Sequence, residues 1–171
     1  MSISVRDLRR SRTDRLGLES VYGDYLDDLA PLGTGVFPTL PEFGHRAHDQ
    51  LTSWYADSSA HLLTILKDAA PVGFAVVRTG HVIAGRGAVD FSMAEFFIER
   101  TWRRRGIGHE AVRLICDRFA GRWHIMEYLR NPQAVAFWRR VVGAYTNGSY
   151  RERAGNGEIH QYFESGAARA R

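Results

Sequence analysis

Two features of the sequence have residue types and spacing suited to chemistry. The first is the run Arg103-Arg104-Arg105-Gly106-Ile107-Gly108. Before it, Phe91 to Glu99 reads as a buried strand, and after it, Gly108 to Ala120 reads as an amphipathic helix. A helix that opens where a strand stops leaves its first backbone N–H groups unpartnered and pointing one way, and the helix dipole adds partial positive charge there. Glycines at 106 and 108 remove side chains that would hold a ligand off that backbone, and three arginines add full charges. The arrangement suits an anionic group, a phosphate or pyrophosphate. A plain strand-to-helix connection with a basic surface accounts for the same residues about equally well. No third glycine follows at the dinucleotide spacing and no Gly-Lys-Ser/Thr ending is present, which excludes a nicotinamide or flavin fingerprint and a nucleoside-triphosphate loop.

The second feature is Glu95, a carboxylate set among Met93, Ala94, Phe96 and Phe97. A charge there is costly to bury. Facing a cleft, its pKa would rise and suit it to accept a proton; a structural partner or a place at the sheet edge explains it as well. Glu127 and His124, on the next predicted strand, are weaker candidates for the same work. His45 and His48 lie three apart on a predicted helix but have no third ligand, so no metal site is expected. Cys116 is the only cysteine, which rules out an intrachain disulfide, and it falls on the apolar face of the helix after the turn as a small core residue.

The elements that must hold these residues follow from periodicity. Ser2 to Leu8 alternates as a short strand, and Thr13-Asp14 can cap a helix running to Ala30. Residues 31–43, with three prolines and two glycines, form a long loop that either lines a site or merely connects. A second helix covers His45 to Tyr55. His61 to Leu66 and Val72 to Arg78 pair as strands, and Thr79 to Val89, polar and glycine-rich, reads as a connector. After the turn and its helix come a strand from Arg122 to Leu129 and a helix from Pro132 to Val142, with Asn131 as cap. Ala144 to Arg153 and Glu158 to Phe163 read as a closing strand pair, and Ser165 to Arg171 as a frayed tail. The order suits one α/β domain over 1–171 with a mixed sheet.

Composition narrows the class. At 171 residues, with 44% hydrophobic and 25% charged residues, the chain fits one globular domain. The net charge of +4 gathers partly at Arg103 to Arg105 and at Arg139-Arg140. No nucleic-acid recognition motif accompanies it, and a polyanionic cofactor explains the cluster. No stretch reaches the roughly 18 apolar residues that span a bilayer, and the start lacks a secretion signal, so the cytoplasm is expected.

The turn resembles motif A of the GNAT superfamily of N-acyltransferases, Arg/Gln-x-x-Gly-x-Gly/Ala after a central strand. Downstream, Asn131-Pro132-Gln133-Ala134-Val135-Ala136-Phe137-Trp138 is similar to the family's Asn-x-x-Ala-x-x-Phe-Tyr segment. The match runs from about Phe91 to Ala144. It implies a mixed, mostly antiparallel central sheet flanked by about four helices and splayed between strands 4 and 5. It implies an acyl-coenzyme A donor, most simply acetyl-CoA, and no metal. Coenzyme A would be held by Phe96, Phe97 and Ile98 along the strand, by Arg103, Arg104, Arg105, Gly106, Ile107, Gly108 and His109 at the turn, and by Asn131 and Trp138. The acceptor would be a primary amine of a small molecule that attacks the thioester directly, with Glu95 as base. Tyr22, Tyr25, Phe37, His45, Tyr145 and Tyr162 could line the acceptor side, although packing or surface explains each of them as well. A carrier-protein donor, a homodimer, and a non-catalytic coenzyme A sensor are the other readings the resemblance admits. The chain departs from the pattern at Trp138: many relatives carry a tyrosine there whose phenol protonates the thiolate, an indole N–H is too weak an acid for that task, and Tyr145 is displaced, so the thiolate would have to leave unassisted.

Overall fold

The computed structural model describes residues 2–10, 12–29, 50–83 and 87–166. The chain runs β1 (Ile3–Asp7), α1 (Arg12–Leu29), α2 (50–56 described), β2 (Ala60–Lys67), β3 (Ala70–Ile83), β4 (Gly87–Ile98), α3 (Ile107–Arg118), β5 (Arg122–Tyr128), α4 (Pro132–Thr146), β6 (Arg151–Gly155) and β7 (Glu158–Glu164). The seven strands form one sheet in the order β1-β2-β3-β4-β5-β7-β6. Every neighbouring pair is antiparallel except β4 with β5. This is the mixed, mostly antiparallel architecture with four helices that the motif resemblance implied.

Each face of the sheet buries its own apolar layer. Leu18, Val21, Tyr22, Tyr25 and Leu26 of α1 and Trp54 of α2 pack with Leu62, Phe74, Val76 and Phe97 on one face. Val112, Ile115 and Cys116 of α3 and Trp138, Val141 and Val142 of α4 pack with Leu63, Val77, Met93, Trp123 and Ile125 on the other. The apolar stripe of α3 recurs at Ile107, Ala111, Val112, Ile115 and Cys116, the spacing that turns one helical face to a sheet. Cys116 is fully buried, as its place on that stripe predicts, and burial pushes its thiol pKa far up, away from thiolate chemistry.

Three expectations need correction. Within the expected connector over Thr79 to Val89, residues 79–83 and 87–89 are instead paired strand: His81 faces Val89, Val82 faces Ala88 and Ile83 faces Gly87. Partner strands override the weak intrinsic preference of polar and glycine-rich sequence. Helix α4 continues through Gly143 to Thr146 and stops where Asn147 turns left-handed at φ 52°, so β6 begins only at Arg151. Ser165 is pinned and does not fray: it is 4% exposed, and its hydroxyl donates to the Phe119 carbonyl at 2.9 Å and accepts from Trp123 Nε1 at 3.0 Å. The long loop over 31–43, the pair His45 and His48, and most of the tail lie outside the described residues. Among those described, no helix is long and apolar enough to cross a membrane.

Candidate functional site

The parallel pair in the sheet is short. Phe91 faces Trp123, Ser92 faces His124, Met93 faces Ile125, and there the pairing ends. The starts of the two strands are clamped: Asp90 accepts from the Arg122 backbone N–H at 2.8 Å, and its two oxygens meet the guanidinium at 3.0 and 2.9 Å. That clamp holds the Asp90 carboxyl down to about 2. From Ala94 onward β4 has β3 on one side only, so its other edge offers backbone N–H and C=O groups to the gap. An extended ligand arm laid in that gap finds the hydrogen-bonding groups of a missing strand.

The glycine turn opens beside the far end of β4. Gly106 precedes α3 in the left-handed region, at φ 78°, and its position supplies no side-chain cap to the helix. A Cβ added at Gly106 would meet nothing within 4 Å among the described residues, so the turn is open where a side chain would stand. Arg104, itself left-handed at φ 61°, and Arg105 are exposed, and the Arg105 guanidinium lies 5.3 Å from the Trp102 ring. Arg103 turns elsewhere. Its Nε donates to the Ile98 carbonyl at 2.7 Å, its terminal nitrogen pairs with Asp28 at the end of α1, and Arg100 Nε reaches the same carboxylate at 2.7 Å. The side chain of Arg103 thus ties α1 to β4, which leaves Arg104 and Arg105 as the outward-facing cations of the run. Ile107 is buried and His109 exposed on the first turn of α3, and a Cβ at Gly108 would come within 3.1 Å of the Phe137 ring, so glycine there lets α4 close on the turn.

The remaining predicted positions line or back the gap. Phe96 stacks on Phe137 at 5.6 Å and meets Trp138 edge-on at 5.4 Å, on the α4 side. Phe97 packs on Tyr25 at 5.6 Å on the α1 side, and Ile98 is buried beside Ile107. Asn131 caps α4, its side-chain oxygen accepting from Ala134 N at 3.2 Å. Trp138 is 7% exposed and belongs to the core layer, with its ring against Phe96 and Phe137.

Glu95 faces the opposite side of the sheet from α3. Opposite Val77 stands Met93, and opposite Val76 stands Glu95, so Ala94 is an extra residue, a bulge. Met93 therefore turns into the α3–α4 layer while Glu95 turns toward α1, where the Tyr25 hydroxyl donates to its carboxylate. Burial raises the Glu95 pKa to about 7, with Tyr25 and the more distant Arg78 pulling the other way. The phenols of Tyr25 and Tyr22 are both pushed up, by burial first and then by the Glu95 charge, so both stay protonated. Among the described residues the buried Tyr22 hydroxyl has no hydrogen-bond partner. A carboxylate that gains or loses its proton near neutrality, beside a fixed phenol donor and at the mouth of a gap, can take a proton from an ammonium. Nothing local marks Tyr25 as the partner of Glu95, because no short-range signal says which strand residue α1 will dock against. Tyr22 and Tyr25 are two of several aromatic candidates for the acceptor side, and only the docked helix separates them from the rest.

Glu127 stands on the other face. It is 4% exposed, and neither carboxylate oxygen has a hydrogen-bond partner among the described residues. Burial, then the nearby Glu152 charge, raise its pKa to about 8, with Arg139 opposing. Unfolded, the group ionises near its ordinary value, so between about pH 4.5 and 8 the unfolded chain has lost a proton that the folded one keeps. Folding stability therefore falls as pH rises through that window, with a slope approaching roughly 1.4 kcal/mol per pH unit. Glu127→Gln removes this penalty. Thermal melts should show the variant gaining on the wild type steadily from about pH 5 to about pH 8; a constant difference would mean that the carboxyl ionises normally. Glu95 has the same sign but is present in both proteins and cancels.

Among the described residues no cluster of three or more His, Cys, Asp or Glu side chains is placed to hold a metal. The family profile described as acetyltransferase (GNAT) family matches residues 24–144. Among curated protein sequences none matches the chain. Solved structures share its fold at low identity. An acetyltransferase from Thermus thermophilus superposes with TM-score 0.67 at 18% identity, covering 96% of this chain and 97% of that one. The PaiA N-acetyltransferase of Thermoplasma acidophilum, solved with coenzyme A, gives TM-score 0.59 at 12% identity over 96% and 99% of the two chains. The spermidine N-acetyltransferase of Vibrio cholerae, solved with coenzyme A and spermine, gives 0.61 at 12% identity over 95% of each. The profile match spans well over half the sequence and includes the glycine turn, the splayed strand pair and the Asn131 cap, and with it the chain belongs to the acetyltransferase (GNAT) family.

Proposed function

We propose that the protein is an N-acyltransferase that moves an acetyl group from acetyl-coenzyme A to a primary amine of a small molecule. The observation that carries this reading is the placement of two unlike chemistries on opposite faces of one gap. On the α3 side lie uncapped helix amides, open space at Gly106 and the exposed Arg104 and Arg105, which suit a pyrophosphate. On the α1 side lies Glu95 with its phenol partner, which suits an amine. A thioester arm following the free edge of β4 from one to the other would pass between β4 and β5. Backbone groups of Phe96, Phe97 and Ile98 would pair with it, and an N–H there would polarise the thioester carbonyl. Asn131, at the start of α4, keeps its side-chain amide N–H groups for the arm while its oxygen caps the helix. The acyl donor supplies an activated carbonyl. The chain's own part is to orient that carbonyl, exclude water from it with Phe96 and Phe97, and take a proton from the attacking ammonium at Glu95.

Titration calorimetry with coenzyme A should give one site per chain. Acetyl transfer should be detectable with one member of a panel comprising spermidine, tyramine and an alanine-initiated hexapeptide, read as thiol release. The core position of Trp138 favours one second reading, in which coenzyme A is bound and sensed without transfer, since no phenol stands where relatives protonate the thiolate. Heat on binding with no thiol release for any amine would select it.

A further inference from the structure

Strand register lays a row of residues across the sheet beside Glu95. Met93 is level with Ile125, and the extra residue at Ala94 brings Glu95 to the next level, that of Met126 across the gap. Met126 faces His160 on β7, and His160 faces Arg153 on β6. Trp123 and Ile125 of β5 and Phe163 of β7 enter the α3–α4 layer, so the alternate residues turn to the α1 side, as Glu95 does. On that face the row Glu95, Met126, His160, Arg153 runs from the gap to the edge of the sheet. Arg151, level with Tyr162, adds a second guanidinium on the same face of β6. The buried layer under α1 and α2 draws its strand residues only from β2, β3 and β4, so this half of the face lies beyond it.

The polar groups along the row are in different states. Those in the middle are engaged with one another. His124 Nε2 lies 3.0 Å from His160 Nδ1, and His160 Nε2 lies 3.0 Å from an oxygen of Glu158. The Tyr162, His124 and His160 rings form one stack, at spacings of 5.0 and 5.3 Å. Arg151 and Arg153 are not engaged. Every residue of β6 is exposed, and Glu152 between them turns to the other face and takes Arg139. Among the described residues neither Arg151 nor Arg153 has a hydrogen-bond or ion-pair partner. Two guanidiniums on alternate residues of one strand, about 7 Å apart at the backbone, make a fork that suits a carboxylate or a phosphate. The only charged side chain that acts on Glu95 is Arg78, which is also cationic. Glu158, level with Tyr128 and so two residues off the row, is already held by His160. An acceptor with a second ammonium would meet repulsion at the far end of this row, and one with an anion would meet attraction.

We propose that the acceptor carries an anionic group, a carboxylate or a phosphate, about 10 Å from its reacting amine, and that Arg151 and Arg153 hold that group at the sheet edge. The inference rests on the acyl-transfer reading above and names the acceptor class within it. The span follows from the row. Strands β5, β7 and β6 lie about 4.8 Å apart and β4 at least as far from β5, so Glu95 and Arg153 are about 15 Å apart at the backbone. Their side chains leaning toward each other leave about 10 Å between the charged ends. The half-buried Met126 and the ring stack lie beneath the stem between them.

Four linear amines on one eight-carbon stem test this: 8-aminooctanoate, 8-aminooctyl phosphate, octylamine and 1,8-diaminooctane, each with acetyl-coenzyme A and read as thiol release. At least one anionic amine should be used with kcat/KM about tenfold or more above octylamine, and 1,8-diaminooctane should fall below it. The better of the two anions tells carboxylate from phosphate. Arg151→Gln with Arg153→Gln, at exposed positions of an edge strand, should raise the KM for that anionic amine about tenfold. The kinetics with octylamine and the affinity for coenzyme A should not change. Octylamine or 1,8-diaminooctane used as well as the anionic amines overturns the assignment, and this wild-type series needs no variant to fold. So does transfer to spermidine or tyramine but to neither anion, or a preference for the anion that survives the double substitution. Each of those results leaves the acyl-transfer reading standing. Thiol release from none of the amines, these four and the earlier panel together, overturns both.

Discussion

Glu95→Gln is expected to lower kcat by about 10²–10⁴-fold with the amine the protein accepts, the range for loss of a positioned general base. The glutamine keeps the shape and can still accept from Tyr25, so coenzyme A affinity should stay at the wild-type value. The sharper readout is the pH profile. Glu95 accepts a proton only when ionised, and burial holds its pKa at about 7. The wild-type rate at saturating donor should therefore climb as pH rises and bend at about 7, and the bend should vanish in Glu95→Gln. Tyr25→Phe works through the same group. The phenol donates to the carboxylate and so favours the ionised form, opposing the effect of burial. Without it the Glu95 pKa rises further, and the bend should move to higher pH with Glu95 still in place. A wild-type profile without a bend near neutrality, or Glu95→Gln at more than about half of the wild-type rate, would remove Glu95 from the chemistry.

The second large effect is expected at the turn. Gly106 holds φ 78° with open space where its Cβ would be. Valine there is strained by about 1–2 kcal/mol, and its methyl groups stand over the amides that an anion needs. Gly106→Val should weaken coenzyme A binding by about 100-fold, measured by calorimetry, with a modest fall in melting temperature. Arg104→Ala with Arg105→Ala removes two charge-assisted contacts from a solvated rim. It should weaken binding by about 30-fold and flatten its dependence on salt. Dephospho-coenzyme A and pantetheine separate the contributions: loss of the pyrophosphate in pantetheine should erase the difference between wild type and both variants. Undiminished affinity in Gly106→Val would place the anion elsewhere and with it the whole donor side.

The two effects bear on different faces of the same gap, and they should be independent. Glu95 lies on the α1 side and the turn on the α3 side, so Glu95→Gln changes turnover without affinity and Gly106→Val changes affinity first. The clasp of Arg100 and Arg103 on Asp28 joins the α1 end to the turn region, through the backbone oxygen of Ile98. Arg103 is thus anchored within the protein, and the charge of the triplet proposed to meet the phosphates rests on its two exposed successors.

Residues that act through their own neighbours were legible. The Gly106-x-Gly108 turn, the apolar stripe of α3 and the Asn131-Pro132 start of α4 are short local signals, and the structure has each at the expected place. Glycine supplies a backbone angle, a stripe supplies a face, and a cap supplies one acceptor, all without reference to distant chain. The strand segments at Thr79–Ile83 and Gly87–Asp90 were not legible, because their stability comes from pairing with each other and with partner strands rather than from composition. Trp138 was legible as a departure from the pattern, and its burial in the α4 layer is what the tertiary structure adds.

What the sequence determined by itself was a glycine turn between a central strand and a helix, a carboxylate near it in the chain, and the order of elements that makes a mixed sheet. Which way that carboxylate faces was decided only in three dimensions. Strict alternation would put Met93, Glu95 and Phe97 on one face, yet Met93 packs under α3 and α4 while Glu95 and Phe97 lie under α1. The extra residue at Ala94 makes that switch, and a bulge is a compromise between two strands' registers that neither strand encodes alone. The same holds for the parting of β4 from β5 after Met93 and Ile125: each strand carries its own apolar faces, but where their pairing stops depends on both strands and on what each packs against.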